Sequence, residues 1–475
     1  METNNTKTFP ATFDTTQEML AFAYLADITS GVIYQLGSHQ SLNQLQSAEE
    51  ATLQAEMQKV ITNDTLAKSY YLGKGWECHK NPWIDIQKSP DGDYFARNTT
   101  AIFKNGSKVV VAVAATNFVD NFDWFIEDLE VSTQVDWTTV INGLTNGNTP
   151  IDKNKGVIAT GTYTALKHTW FQSDDPTSGG TPYLLHALKE VVTGMASVEL
   201  YVTGHSLGGA ITPVLAQALL ECKADWAGTT PVNVHAYPFA GPTVGDQTFV
   251  NYVETTSNPK IDLNSLYNNL DVVPHGWELS MIDKMHDLFV GYLNSQNDSV
   301  IPDADTTKYG ALIKWTIDWI KSKATQDTAS KDYKRWTSET IVNGDFPIGT
   351  ESFSKGVSAA VSGINAKIFV GHTDMKDAMK EIIGHDVIFT TDSFYTNCMG
   401  YFCKYLLMLK RQHIDQYSEI LWNGQFQNAF HEALTQVKGK GNLLKDLSGG
   451  IAVLTQLFEE VAAYKKSRKP SMEPA

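Results

Sequence analysis

The stretch Val198–Ala210 reads VELYVTGHSLGGA and contains Gly204-His205-Ser206-Leu207-Gly208, a G-x-S-x-G pentapeptide. Upstream, Val198, Leu200, Tyr201 and Val202 form a β-branched and aromatic run that predicts a buried strand. Downstream, Gly209 and Ala210 open an apolar segment through Leu215, Ala218 and Leu219 that predicts a helix. Strand, sharp turn and helix are the setting in which the pentapeptide acts as a nucleophile elbow, lifting the serine out of the sheet on a strained turn. The glycines two before and two after the serine have a mechanical reason, since a Cβ at either flank would collide with the neighbouring strand or helix. The helix N-terminus places the positive end of a dipole beside Ser206, where a developing oxyanion would sit. The plain alternative, a Gly-rich turn with an incidental serine, does not require these flanks. Pro213, inside the predicted helix, is expected to kink it or loosen its first turns.

Outward from this stretch, 475 residues can hold a large core with insertions. A formal net charge of −16 with 42% hydrophobic residues describes an acidic globular chain and argues against nucleic acid or an anionic membrane as a partner. The basic cluster Lys465–Lys469 lies in a Pro-containing tail and reads as a solvated patch. Cys78, Cys222, Cys398 and Cys403 have neither metal-ligand spacing nor a dense disulfide pattern, so free, mostly buried thiols are expected. We find no metal- or phosphate-binding motif, and expect neither a metal nor a cofactor. The polar N-terminus lacks the features of a secretory signal and no run of about 18 apolar residues offers a membrane span, so a cytoplasmic location is expected.

Along the chain, Thr15-x-x-Glu18 resembles a capping box opening an N-terminal helix, read as scaffold. Tyr94–Phe103, an Asn105-Gly106 turn and the run Lys108–Thr116 predict a hairpin leading into a central strand. The aromatics Phe118, Phe122, Trp124 and Phe125 that follow suit packing over the sheet or the mouth of an apolar site. Gly156 begins a short strand and a helix, and Tyr183–Val192 another helix. Val232, Val234 and Ala236 alternate along a strand closed by Gly241-Pro242, and Ile261–Tyr267 predicts one more. Alternating strands and helices argue for a mostly parallel sheet with helices on both faces, whose carboxyl edge carries the chemistry. Asp271 falls at that edge.

The blocks VVVAVAAT, GVIATGTYTAL, VTGHSLGGA, AYPFAGPTVGD and NNLDVVP, in this order between about Val109 and Pro274, resemble the class 3 lipase family, the group of the fungal triacylglycerol lipases. The resemblance implies an α/β-hydrolase fold, with Ser206 as nucleophile and Asp271 as the acid of its triad. It also implies Thr116 and the Leu207 N–H as oxyanion donors. The family's early F-R-G-T block is replaced here by Val113-Ala114-Ala115-Thr116, which alters the loop before the donor. Independently of any family, a serine hydroxyl needs a histidine to take its proton and an aspartate to hold that histidine's tautomer. A turn aspartate before Pro274 is the alternative reading of Asp271. His205 reads as a positioning or packing residue, and His168, His186 and His235 as structural histidines.

His275, His286, His372, His385, His413 and His431 compete for the role of base. The resemblance favours the block around His385, with a helix before it and the tyrosine-containing segment of Tyr395 after it. His385 also follows a helical pattern ended by Gly384, whereas His286 falls on the first helix of an insertion. The chain thus divides into a hydrolase core (1–280), an inserted cap or lid (281–384) with Leu312, Trp315, Trp319 and Ile320 on one helical face, and a closing segment with C-terminal helices (385–475). Its tryptophans either seal the cap to the core or meet lipid. The reading is a serine hydrolase of carboxylic esters, acylglycerol-type by resemblance, with a transient lipid interface as a further partner and no indication of oligomeric state. A phospholipase or short-chain esterase on the same site, and a lipase-like interaction protein with a degraded oxyanion loop, are the alternatives.

Overall fold

The structure is a computed structural model and describes residues 14–62, 72–115, 131–172, 182–295, 316–344 and 411–422, with short gaps inside the first, second and fifth ranges, and residue 463. Among the described residues the strands are, in order, β1 (Ile33–Tyr34), β2 (Glu77–Cys78), β3 (Trp83–Lys88), β4 (Tyr94–Asn105), β5 (Lys108–Val113), β6 (Gln134–Asp136), β7 (Val157–Ala159), β8 (Val198–His205), β9 (Val232–Phe239), β10 (Gly245–Asp246), β11 (Asp262–Leu263), β12 (Leu266–Asn268), β13 (Tyr333–Lys334) and β14 (Thr340–Val342). The helices used below are α1 (Thr15–Ala26), α2 (Leu42–Thr62), α3 (Trp137–Thr145), α4 (Thr160–Phe171), α5 (Tyr183–Val192), α6 (Leu207–Glu221), α7 (Leu279–Ser295) and α8 (Gln416–Trp422).

The main sheet runs β1-β4-β5-β8-β9-β12-β14, with β2 and β3 also on β4 and β11 on β9. Its first part is antiparallel: β4 and β5 form the expected hairpin, with Gly106 at φ +59° in the turn. From β5 onward every pairing, β5 with β8, β8 with β9, β9 with β11 and β12, and β12 with β14, is parallel. The short strand β7, expected from Gly156 onward, belongs instead to a small second sheet, where it pairs antiparallel with β6 and β10. Strand β14 falls inside the 281–384 segment and extends the main sheet beside β12, while β13 joins the small sheet.

The period-two alternation of β5 decides the layering. Val109, Val111 and Val113 face one core with Leu200, Val202, α3 to α6 and Trp170. Val110, Ala112 and Ala114 face the other, with Tyr201, α1 and α2. A continuous apolar run is therefore what a strand covered on both faces requires. The cap of α1 lies one residue earlier than the sequence reading: Asp14 accepts from the Thr16 N–H at 2.9 Å, and Gln17 returns to the Asp14 N–H at 3.2 Å. Glu18 bonds the Trp76 indole N–H at 3.3 Å instead. Trp319 is buried. Leu312, Trp315, Phe118–Phe125 and the Leu454–Val461 stripe lie outside the described residues.

Helix α6 runs unbroken from Leu207 to Glu221 with Pro213 inside it. The proline does not end the helix, and the hydroxyl of the preceding residue, Thr212, donates to the Gly208 carbonyl at 2.7 Å. The β8–α6 junction is possible only with glycine at its flanks. A Cβ on Gly204 would lie 2.4 Å from the Gly208 carbonyl group, and one on Gly208 would lie 2.3 Å from the Val113 carbonyl oxygen. Both neighbours are backbone, so no side-chain rotation relieves them. Gly208→Ala is expected to destabilise the fold by about 1–3 kcal/mol, the usual cost of overpacking, and a denaturant midpoint equal to wild type would contradict this close approach.

Candidate active site

Strand β8 ends at His205 and α6 begins at Leu207, leaving Ser206 alone at φ 58°, ψ −121°. A non-glycine residue held there costs about 1–3 kcal/mol and persists only where its surroundings over-determine it. Here the Ser206 N–H donates to the Phe239 carbonyl at 2.9 Å, and the Ser206 carbonyl accepts the Ala210 N–H at 3.0 Å. The turn is thus tied both to β9 and to the first turn of α6. Leu207, whose N–H the sequence reading assigned to an oxyanion, opens that helix.

Asp271 follows β12 at the carboxyl edge of the parallel strands and is fully buried. Its Oδ1 accepts the Val273 N–H at 3.0 Å; its Oδ2 receives the Tyr417 hydroxyl at 2.9 Å and the His413 Nδ1 at 2.7 Å. The Tyr417 oxygen in turn accepts the Asn268 N–H at 2.9 Å, so the hydroxyl is oriented toward the carboxylate. Burial drives the Tyr417 phenol well above its usual pKa and keeps it a donor. Three donors thus take the place of the solvent that the buried carboxylate gives up.

His413 sits in a π-helical turn, Arg411–Asp415, immediately before α8. Turns of this kind aim single side chains and are frequent at functional sites. The Asn268 amide donates to the Gln412 carbonyl at 3.0 Å and to its side-chain oxygen at 2.7 Å, fixing the turn against the end of β12. The His413 ring is 4.6 Å, centroid to centroid, from that of His205, the residue preceding Ser206. Burial lowers the His413 pKa against the opposing pull of Asp271, so the imidazole is held neutral. With Asp271 Oδ2 as the acceptor, the contact is made by the tautomer that carries its proton on Nδ1.

The structure brings Asp271 and His413 together, with His413 against His205, the residue preceding Ser206. His385, chosen from the sequence as partner of Asp271, lies outside the described residues, as do Thr116, His372, Tyr395 and His431. His286 is on α7, as expected. His275 donates from Nδ1 to the Asp271 backbone carbonyl at 2.7 Å and is buried, which pushes its pKa down to about 4; it supports the aspartate's loop. His235 bridges Glu199 and Asp262 on the sheet, and His168 is buried near Asp85. The missed signal was Gln412-His-Ile-Asp-Gln-Tyr417: a histidine followed four residues later by a tyrosine that opens an apolar helix. Among the described residues no cluster of three or more His, Cys, Asp or Glu side chains forms a metal site, Cys78 and Cys222 are buried free thiols, and no helix is long and apolar enough to cross a membrane.

Residues 131–279 match the family model described as Lipase (class 3). A lipase of Rhizomucor miehei is 38% identical over 79 residues, 17% of this chain and 20% of its own length. A lipase of Rhizopus niveus is 33% identical over 88 residues, 18% of this chain and 21% of its own length. The matched stretch therefore spans about a fifth of these curated relatives. Among solved structures, M37 lipase shares 19% identity at a TM-score of 0.53, with 90% of this chain and 98% of that chain covered, a likeness of fold. The fold is that of an α/β-hydrolase, with Ser206 and Asp271 inside the family match and His413 beyond it. Through residues 131–279 the chain is similar to the class 3 lipase family.

Proposed function

We propose that the protein hydrolyses carboxylic esters of acylglycerol type through an acyl-enzyme on Ser206, with His413 as base and Asp271 as its orienting acid. The observation that carries this reading is the buried 2.7 Å contact between His413 Nδ1 and Asp271 Oδ2 beside a strained serine elbow. With Nδ1 committed to the aspartate, Nε2 is the nitrogen that takes the Ser206 proton as Oγ attacks the ester carbonyl. The tetrahedral oxyanion is met by the Leu207 N–H at the N-terminus of α6, with Thr116 as the second donor implied by family resemblance. Collapse expels the alcohol, which leaves with the proton from His413. Water, deprotonated by the same nitrogen, then attacks the acyl-enzyme, releasing the carboxylic acid and regenerating Ser206.

This assignment replaces His385 by His413 for a geometric reason: the base must hold an oriented contact with the acid. It also keeps a tyrosine close behind the histidine, as the family pattern expects. An ester or lipid substrate accords with the relatives being lipases, while acyl length and head group are matters for a substrate panel.

Three outcomes are expected. Ser206→Ala abolishes hydrolysis of a soluble ester with an unchanged melting temperature, and turnover near wild type in the purified variant would sink the nucleophile. Fluorophosphonate labelling collapses in His413→Ala and persists in His385→Ala; the reverse pattern would restore the sequence-based choice. Because the lowered pKa keeps His413 unprotonated, kcat/KM should hold as pH falls through the ordinary imidazole range near about 6.5 and decline only below it. An acid limb centred above neutrality would contradict the buried, neutral base.

A further inference from the structure

Helix α1 ends at a carboxylate that helix physics disfavours. Asp27 follows Ala26 at the C-terminus, where the dipole is negative, and is 5% exposed. Its surroundings explain the placement. Oδ1 accepts the Ala115 N–H at 2.5 Å, at the exit of β5 and one residue before Thr116. Oδ2 lies 3.6 Å from His205 Nδ1. On its other side the His205 ring reaches the backbone carbonyl of His413, with Nε2 at 2.6 Å. A carbonyl oxygen only accepts, so His205 Nε2 carries a proton. Its Nδ1 side is thereby turned toward the Asp27 carboxyl. Helix α1 makes two further ties to the same segment: the Tyr24 hydroxyl donates to the Ile414 carbonyl at 2.8 Å, and the Gln17 amide to the Leu421 carbonyl at 2.7 Å.

We propose that Asp27 and His205 are positioning residues that form a buried bridge from the backbone of His413 to the exit of β5, holding the base and the oxyanion loop at one spacing across Ser206. The inference rests on the ester-hydrolase reading above. Neither side chain touches the reacting atoms. The bridge fixes the backbone of the base, while Asp271 fixes its ring. It also gives the chain an alternative to the Arg-Gly loop of the family: where Ala114-Ala115 stands, a carboxylate from α1 anchors the loop backbone.

The test measures kcat and KM on a soluble ester for Asp27→Leu, Asp27→Asn, His205→Leu and His205→Gln in the full chain, with active sites titrated by a fluorophosphonate. Gln places an amide N–H where His205 Nε2 stands, and Asn keeps an acceptor for Ala115 and a donor toward His205. Both Leu variants should lose kcat per titrated site by about 10²-fold, the cost of misplacing reacting groups by about 1 Å, with KM within about threefold. Gln and Asn should recover about tenfold or more of that loss, and the phosphonylation rate should move in parallel with kcat. A merely structural pair would lower the number of titratable sites and leave kcat per site at the wild-type value, which would overturn the proposal, as would Asn and Gln variants as slow as Leu.

Should the Leu variants not fold, 15N spectra of histidine-labelled wild type, assigned with His205→Gln, decide the matter. A protonated Nε2 on His205 supports the bridge, and a bare Nε2 overturns it. Wild type that neither turns over esters nor takes the fluorophosphonate would defeat the ester-hydrolase reading, and the spectra would still judge the bridge.

Discussion

A carboxylate taken wholly out of water costs several kcal/mol unless donors replace its hydration, and the carboxyl edge of the sheet is arranged around meeting that demand for Asp271. Its three donors come from two parts of the chain: Val273 from its own loop, and Tyr417 and His413 from a segment more than a hundred residues on. Hydrogen bonds to a charged group contribute about 1.5–3 kcal/mol each, so this set is of the right order to offset the desolvation. Removing one donor would therefore do more than weaken a contact; it would leave charge buried without compensation. The same donors restrict the geometry. Tyr417 is oriented by the Asn268 N–H, Gln412 is held by the Asn268 amide, and His413 is left with one tautomer and one direction.

The rigidity of that arrangement depends on the strand that carries it. Ser206, Asp271 and the exit of β5 all stand at the ends of parallel neighbours, with β8 between β5 and β9 and β12 beyond. Register along β8 fixes Ser206 relative to Phe239, and β12 fixes Asn268 relative to the 411–415 turn. The proposed base, His413, comes from outside the sheet. It is held by polar contacts from β12 and from α1, a helix whose apolar residues fill the core on that face. The N-terminal helix is thus part of the site's support as well as scaffold.

Much of this was legible from residues in sequence. The elbow could be read because two glycines, a strand and a helix must coincide for a serine to occupy a strained turn, and each has its own signature. The β4–β5 hairpin was legible from Asn105-Gly106 between apolar runs, and Asp271 from its place after a strand. The proposed pairing of His413 with Asp271 was not, because nothing local ties a histidine to an aspartate so far away; it is decided by how 411–422 docks on α1 and β12. Gly384 before His385 offered a local helix stop, whereas His413 lies within a π-helical turn that no periodicity announces. Asp27 was hidden for the same reason: at the end of an apolar helix its partners, Ala115 and His205, are tertiary. The small sheet escaped because β7, β10 and β13 are two or three residues long, too short to carry a pattern.

The most direct measurement is the proton NMR spectrum far downfield of the amide region, where an imidazole Nδ1 proton shared with a buried carboxylate resonates. The wild-type protein should show such a signal, lost in His413→Gln and in Asp271→Asn, retained in His385→Gln, and shifted when a fluorophosphonate modifies Ser206. A signal that survives His413→Gln and vanishes in His385→Gln would contradict the pairing on which the site is built.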